Sequence, residues 1–248
     1  MNARFLSKVR VGLTVTSLGL CGALALSTNT GCGSNASTGG AGGTVGGGDT
    51  VSFTDGRASG PMKGWSWVAL GKLDSISDPT CDTDKHPITN DNACTTTTNW
   101  STHDSLCISG SIPALPAGTL TQQQYDDNWG LQVGVNSDEP PADKGGNTMG
   151  QTYKFITFSV DGTPSTGLRA ELHIKGDDAK ATYCATFKSG DKVTLTAFNT
   201  KCWGDSTTVT LTDDKIPNID KVGIQVSSTA GKDITVDKLC LHSVAFSN

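Results

Sequence analysis

The sequence predicts an all-β protein, an antiparallel β-sandwich with disulfides and a long N-terminal loop region. Short segments in which apolar and polar residues alternate recur from about residue 106 onward. Gly- and Asp-containing turns separate these segments, and no long stretch has the 3.6-residue period of an amphipathic helix. This combination is typical of strands that bury one face each, which pack as two sheets around a shared core.

The N-terminus has the layout of a secretory signal. Three basic residues and no acidic residue precede an almost uncharged run over residues 11–26. That run is short for a membrane span, which needs about 20 residues. Two processing sites remain open: Ala23–Ala25 fits ordinary signal cleavage, whereas Thr30–Cys32 resembles the end of a bacterial lipoprotein box.

Cysteine parity favours lipidation at Cys32. Cleavage before Cys32 removes Cys21, and acylation of Cys32 then leaves six cysteines that can pair in an oxidising compartment. We therefore expect a signal peptide over 1–31, a lipidated cysteine with a Gly- and Ser-rich linker over 32–50, and one β-sandwich domain over 51–248. The expected location is the cell envelope, at the outer membrane or cell surface, with membrane contact through the lipid alone.

The six later cysteines predict structural disulfides. None of them forms a CxxC pair, and an exported chain favours disulfides over metal or redox motifs. Six cysteines allow many pairings. We expect a loop disulfide between Cys81 and Cys94, one across neighbouring strands between Cys184 and Cys202, and one between Cys107 and Cys240 that joins the first and last core strands.

Alternation identifies the strands of the predicted sandwich. The expected strands cover 106–112, 129–136, 155–160, 168–174, 183–187, 193–197, 222–226 and 234–246. Their polar positions place a dense row of side chains on one sheet face: Gln132, Asn136, Arg169, Glu171, His173 and Gln225. One interpretation is an ordinary solvated face. The other is a ligand platform, because Gly134 and Gly223 would leave a concavity there.

Several short stretches resemble secreted bacterial jelly-roll domains with a galactose-binding-like fold. These stretches are GPMKGWSWVALG (60–71), NWG (128–130), YCATF (183–187), FNTKCW (198–203) and LCLHSVAF (239–246). Such domains occur as, or beside, carbohydrate-binding modules. The resemblance implies a jelly roll whose concave sheet hydrogen-bonds a polysaccharide or other glycan, with aromatic rings that stack on the sugar. The candidate platforms are Trp65, Trp67 and Trp129, with Tyr125 and Trp203 behind them.

Composition and motifs narrow the function classes. The net charge of −5 and the pI near 5.2 provide no basic face, so nucleic acid is not an expected partner. Glu171 lacks a second carboxylate at a recognisable spacing, which argues against glycoside hydrolysis and for binding without catalysis. We expect no cofactor beyond a structural Ca²⁺ that Asp55 and Asp237 could hold. The alternative function is a structural or adhesive envelope protein that binds another protein.

Overall fold

A computed structural model describes residues 49–81, 86–89, 98–116, 118, 121–138, 148–177, 182–202 and 208–248, which belong to one compact unit, Gly47–Asn248. The strands are β1 (Asp49–Thr54), β2 (Arg57–Ser59), β3 (Ser66–Leu70), β4 (Ser75–Asp78), β5 (Thr80–Cys81), β6 (Ile88–Thr89), β7 (Thr98–Asn99), β8 (Leu106–Ile112), β9 (Leu131–Asn136), β10 (Phe155–Thr163), β11 (Leu168–Ile174), β12 (Thr182–Thr186), β13 (Lys192–Thr194), β14 (Ile219–Val226) and β15 (Ile234–Ser247). A short helix, α1, covers Gln122–Asp127, and 3-10 turns cover Leu195–Ala197 and Ile216–Asn218.

The strands form two antiparallel sheets, which confirms the predicted β-sandwich and is consistent with a jelly roll. The larger sheet has eight strands in the order β13-β10-β15-β8-β4-β6, and β1 also pairs with β15 and with β2. The smaller sheet has five strands in the order β12-β11-β14-β9-β3. Strands β5 and β7 form a separate two-stranded pair.

Alternating apolar residues of both sheets build one core. In β11, Leu168, Ala170, Leu172 and Ile174 are buried on the inner face. Phe158 in β10 belongs to the same hydrophobic cluster from the opposite sheet. Because successive strand residues point to opposite faces, this burial fixes the intervening polar residues on the outer face of the five-stranded sheet.

The N-terminal region contributes strands where the sequence predicted a long loop. Strand β1 pairs with the C-terminal strand β15, and β3 forms an edge of the five-stranded sheet. Strand β3 has the sequence SWVAL, in which every residue is half-buried. A strand without apolar–polar alternation has no period-2 signal, and for this reason the sequence pattern missed it.

Two of the expected disulfides are present. Cys107 and Cys240 lie directly opposite each other on β8 and β15. They join two adjacent strands of one sheet rather than the first and last core strands, because β1 precedes β8 in the same sheet. Cys184 of β12 is bonded to Cys202, which lies in the loop after the 3-10 turn instead of in a strand. Cys81 is disulfide-bonded, and its expected partner Cys94 lies outside the described residues.

Candidate functional site

Strand register brings the predicted polar residues into adjacent rows on the outer face of the five-stranded sheet. Arg169 lies opposite Gln225, which lies opposite Gln132. The next row runs from Glu171 of β11 through Gly223 of β14 and Gly134 of β9 to Trp67 of β3. A third row contains His173, Lys221 and Asn136.

The second row contains the large aromatic side chain of this face. A Cβ atom on Gly134 would lie 2.5 Å from Cζ2 of Trp67, and one on Gly223 would lie 3.1 Å from its Cη2. The indole therefore extends from the edge strand across both glycines toward Glu171. The concavity that we expected at these glycines is partly filled by Trp67, since only glycine lets a ring lie this close to the sheet backbone.

An open cavity of about 270 Å³ lies beside this indole. The described residues in its wall are Trp67, Ala69, Gln132, Glu171, Leu172, His173, Thr182, Lys221 and Gly223. Of the predicted site residues, Gln132, Glu171 and His173 are in this wall. The wall combines an aromatic ring, amide, carboxyl and hydroxyl groups and an ammonium group, a set that can bind a small polar ligand.

Hydrogen bonds hold the first row rigid. The Arg169 Nη1 group donates to Gln225 Oε1 at 2.9 Å, and Gln225 Nε2 donates to the Trp129 carbonyl oxygen at 3.0 Å. Gln225 is fully buried, with 0% of its surface exposed. The polar face is therefore not uniformly solvated, which argues against the interpretation of an ordinary solvated face. Gln132 also holds Glu171: its Nε2 group donates to Glu171 Oε2 from β9, across the intervening strand β14.

Two residues of the cavity wall each have a buried polar atom without a hydrogen-bond partner among the described residues. Glu171 keeps 8% of its surface exposed, and its Oε1 atom is buried with no hydrogen-bond partner among the described residues. The Nε1 atom of Trp67 is also buried and has no partner in that part of the chain. A buried polar group without a partner costs about 1–3 kcal/mol. Such a cost at two residues of one cavity wall needs an explanation, and a bound ligand would supply one.

Burial changes the acid–base behaviour of Glu171. Loss of solvent raises the pKa of its carboxyl group from the ordinary 4.5 to about 7, although the positive charge of Arg169 lowers the pKa in part. The carboxyl group can thus be neutral or charged near physiological pH. It can donate or accept a hydrogen bond, and the same cavity wall contains Trp67, whose N–H group has no partner among the described residues.

The third row forms the charged rim of the site. His173 Nδ1 donates to Asp220 Oδ1. Lys221 is exposed at the cavity and forms no ion pair among the described residues. Sequence analysis missed Lys221, because the predicted strand began at Val222 whereas β14 begins at Ile219. The alternation Lys221, Gly223, Gln225 would have identified it.

The other predicted site residues are not part of the described cavity wall. Trp65 directly precedes β3, keeps 42% of its surface exposed, and its ring centroid lies 5.4 Å from the Arg57 guanidinium carbon. Asn136 donates its backbone N–H to the Trp65 carbonyl. Trp129 is half-buried. The side chain of Tyr125 and all of Trp203 lie outside the described residues.

The described residues contain no group of three or more His, Cys, Asp or Glu side chains that could hold a metal ion. Asp55 lies in the turn between β1 and β2 and pairs with His103. Asp237 lies exposed in β15, opposite Thr163 of β10. The two residues that the sequence suggested for Ca²⁺ thus belong to different local environments.

Comparison with known proteins does not assign a function to this chain. No protein-family model matches the chain, and no curated protein matches it significantly. In the described part of the chain, no helix has the length and apolar character that a membrane crossing requires.

Proposed function

We propose that this chain is a non-catalytic carbohydrate-binding protein that holds a sugar in the cavity beside Trp67. The observation that carries the proposal is that two residues of the cavity wall, Trp67 and Glu171, each have a buried atom, Nε1 and Oε1, without a hydrogen-bond partner among the described residues. A sugar hydroxyl both accepts and donates hydrogen bonds, so it can satisfy an indole N–H and a carboxyl oxygen together. Gln132 and Thr182 in the same wall add further polar groups for neighbouring hydroxyls.

Aromatic rings support a sugar as the ligand. Trp65 and Trp67 are two residues apart on one extended segment, which places their side chains on the same face about 7 Å apart. The exposed ring of Trp65 offers an apolar surface outside the cavity. Pyranose rings present apolar C–H faces that pack well on indole. The resemblance of several sequence stretches to jelly-roll carbohydrate-binding modules agrees with this arrangement of aromatic and polar groups.

The cavity supports binding better than hydrolysis. Two-carboxyl glycoside hydrolysis needs a pair of carboxyl groups about 5–9.5 Å apart across the bond to be broken. Among the described residues of the wall, Glu171 supplies the one carboxyl group. The nearby Asp220 carboxylate accepts a hydrogen bond from His173.

The competing function is a structural or adhesive role through a protein partner. A protein-binding surface needs a broad patch with an apolar centre. Among the described residues, the large hydrophobic side chains that are strongly exposed are Trp65 and Leu73. Two single side chains make a weaker case than the cavity with its unpartnered atoms.

Direct binding measurements test the proposal. The purified full chain is applied to a glycan array, and each positive oligosaccharide is then titrated by calorimetry. Glu171→Ala should weaken binding by about tenfold or more, the value of one charge-assisted hydrogen bond. Ser111→Ala, on the exposed surface of the eight-stranded sheet, is the matched control and should leave affinity unchanged. Absence of binding to every glycan, or equal affinity in both variants, would contradict the proposal.

We further propose that Cys32 is lipidated and anchors the domain at the cell envelope. The support is the basic and apolar N-terminal run, the Thr30–Cys32 site and the cysteine parity. Residues 33–48, rich in Gly, Ser and Thr, would separate the anchor from the domain that begins at β1. Cys32→Ser should move the protein from the detergent phase to the aqueous phase on phase partition. Unchanged partition would refute the anchor.

A further inference from the structure

We propose that the sugar in the cavity carries a carboxylate group, as a uronic acid does, and that Trp67, Glu171 and Lys221 bind this group. The inference rests on the glycan-binding function proposed above and specifies its ligand class. It follows from the hydrogen-bonding capacity of the unpartnered atoms and from the charges around the cavity.

The hydrogen bond from Gln132 determines what Glu171 can offer. Because Gln132 Nε2 donates to Oε2, that oxygen acts as an acceptor, and a proton on the neutral acid resides on the other oxygen, Oε1. Oε1 is the Glu171 oxygen that is buried without a partner among the described residues. In the neutral state, the two unpartnered groups of the wall are therefore both donors: the Trp67 N–H and the Glu171 O–H. A ligand carboxylate has two acceptor oxygens with about four lone-pair positions, enough to accept from both.

The charges at the cavity favour an anion when Glu171 is neutral. Lys221 lines the cavity and forms no ion pair with another described residue. The partly buried Arg169 lies two residues from Glu171 on β11. His173 donates a hydrogen bond to Asp220, so these two side chains form a pair of their own. An unpaired ammonium group beside two donors is the arrangement that recognises a carboxylate.

Protonation of Glu171 should control this binding. The charged or titratable groups that face Glu171 are Arg169 and His173 on its own strand, and Lys221 with Asp220 on β14. The described positions that adjoin it from β3, β9 and β12 carry no group that titrates near neutrality: Trp67, Gln132, Thr182 and the disulfide-bonded Cys184. With the pKa of Glu171 raised to about 7 by burial, the acid is mostly neutral at pH 6 and mostly ionised at pH 8.

The test uses matched acidic and neutral sugars with the full chain. The probes are oligosaccharides of glucuronate, galacturonate and mannuronate, each beside its carboxyl-reduced neutral form, titrated calorimetrically at pH 6 and pH 8. At pH 6 at least one acidic oligosaccharide should bind about tenfold tighter than its neutral form. Its affinity should fall about tenfold between pH 6 and pH 8, as the binding-competent neutral fraction of Glu171 falls. The sugar carboxylate itself stays ionised at both values.

Three variants locate the effect. Lys221→Gln should remove most of the preference for the acidic sugar, whereas Lys188→Gln, in the turn after β12, should leave it intact. Glu171→Gln keeps a donor but does not titrate, so it should still bind the acidic sugar at pH 6 with a nearly flat pH profile. Equal or tighter binding of the neutral sugars, or a steep pH profile in Glu171→Gln, would overturn the uronate inference while glycan binding stands. Failure of every probe, acidic and neutral, would overturn both proposals.

Discussion

The two sheets differ in how their outward polar side chains are satisfied. On the eight-stranded sheet, Ser75 and Ser111 hydrogen-bond each other at 2.9 Å, and His242 lies 3.1 Å from Asp161 in a solvent-exposed pair. None of the buried polar atoms that lack a partner in the described chain belongs to a strand of that sheet. On the five-stranded sheet, the outward Glu171 is instead buried and half-satisfied.

This difference separates a solvated surface from a site. Alternating polar residues outside an antiparallel sheet need no functional explanation when they are exposed and paired. A buried carboxyl and a buried indole N–H without partners cost stability, and natural proteins keep such costs mostly where function requires them. The eight-stranded sheet should therefore respond to mutation through stability alone, and the cavity face through both stability and binding.

The largest expected effect is confined to the eight-stranded sheet. Replacing both cysteines of the Cys107–Cys240 disulfide with alanine should lower the free energy of unfolding by about 2–5 kcal/mol. The reason is that this bond closes a long loop, with a sequence separation of 133. Urea denaturation measures the loss. Glycan affinity at a temperature where the variant is folded should not change, and weaker binding would show that the two faces are coupled.

The next effect has the opposite sign and depends on pH. Between about pH 4.5 and 7 the folded state binds more protons at Glu171 than the unfolded state, so stability falls as pH rises. The full loss above pH 7 is about 3 kcal/mol. Glu171→Gln should therefore unfold at higher urea concentration than the native chain at pH 8, with little difference at pH 4.

Comparison with the native chain isolates the effect of Glu171. Asp74, whose pKa burial raises to about 6, shifts stability in the same direction in both proteins. Its contribution therefore cancels in the difference between the two unfolding curves. A variant that is no more stable than the native chain at pH 8 would show that Glu171 is not penalised by burial.

A smaller effect contrasts two strand glycines. A Cβ on Gly134 would approach the Val222 carbonyl oxygen to 2.5 Å, and one on Gly110 would clash with the Ser75 carbonyl oxygen. Gly134→Ala and Gly110→Ala should each cost about 1–3 kcal/mol in thermal unfolding. Only Gly134→Ala should also weaken glycan binding, because its methyl group displaces the Trp67 ring. Equal glycan affinity in the two variants would contradict a role for the Trp67 ring in binding.

The strands were predictable where burial imposes a strict alternation. The predicted strand over 106–112 has the same bounds as β8, and 168–174 has the bounds of β11. The N-terminal strands were not predictable in this way, because β3 has every residue half-buried. Helix α1 was also missed, although Thr121 and Gln124 form a capping box that the sequence displays.

The site was predictable as a face and not as a cavity. Alternation placed Gln132, Glu171 and His173 on one side of a sheet, where the register aligns their strands. The cavity beside Glu171 also depends on Trp67, whose ring lies over Gly134 and Gly223 in the same row and which comes from a strand more than 100 residues earlier in the sequence. No local sequence pattern encodes an arrangement of that range.

The most direct test of the account is the effect of Trp67→Phe on glycan affinity. The substitution keeps an aromatic ring over the glycines and removes the N–H donor that has no partner in the described protein. If this donor binds a sugar, calorimetric affinity should fall about fivefold or more, with little loss of thermal stability, because a buried unsatisfied group is removed along with part of the ring. Unchanged affinity in a folded variant would contradict the claim that the unpartnered atoms of this face are ligand-binding groups.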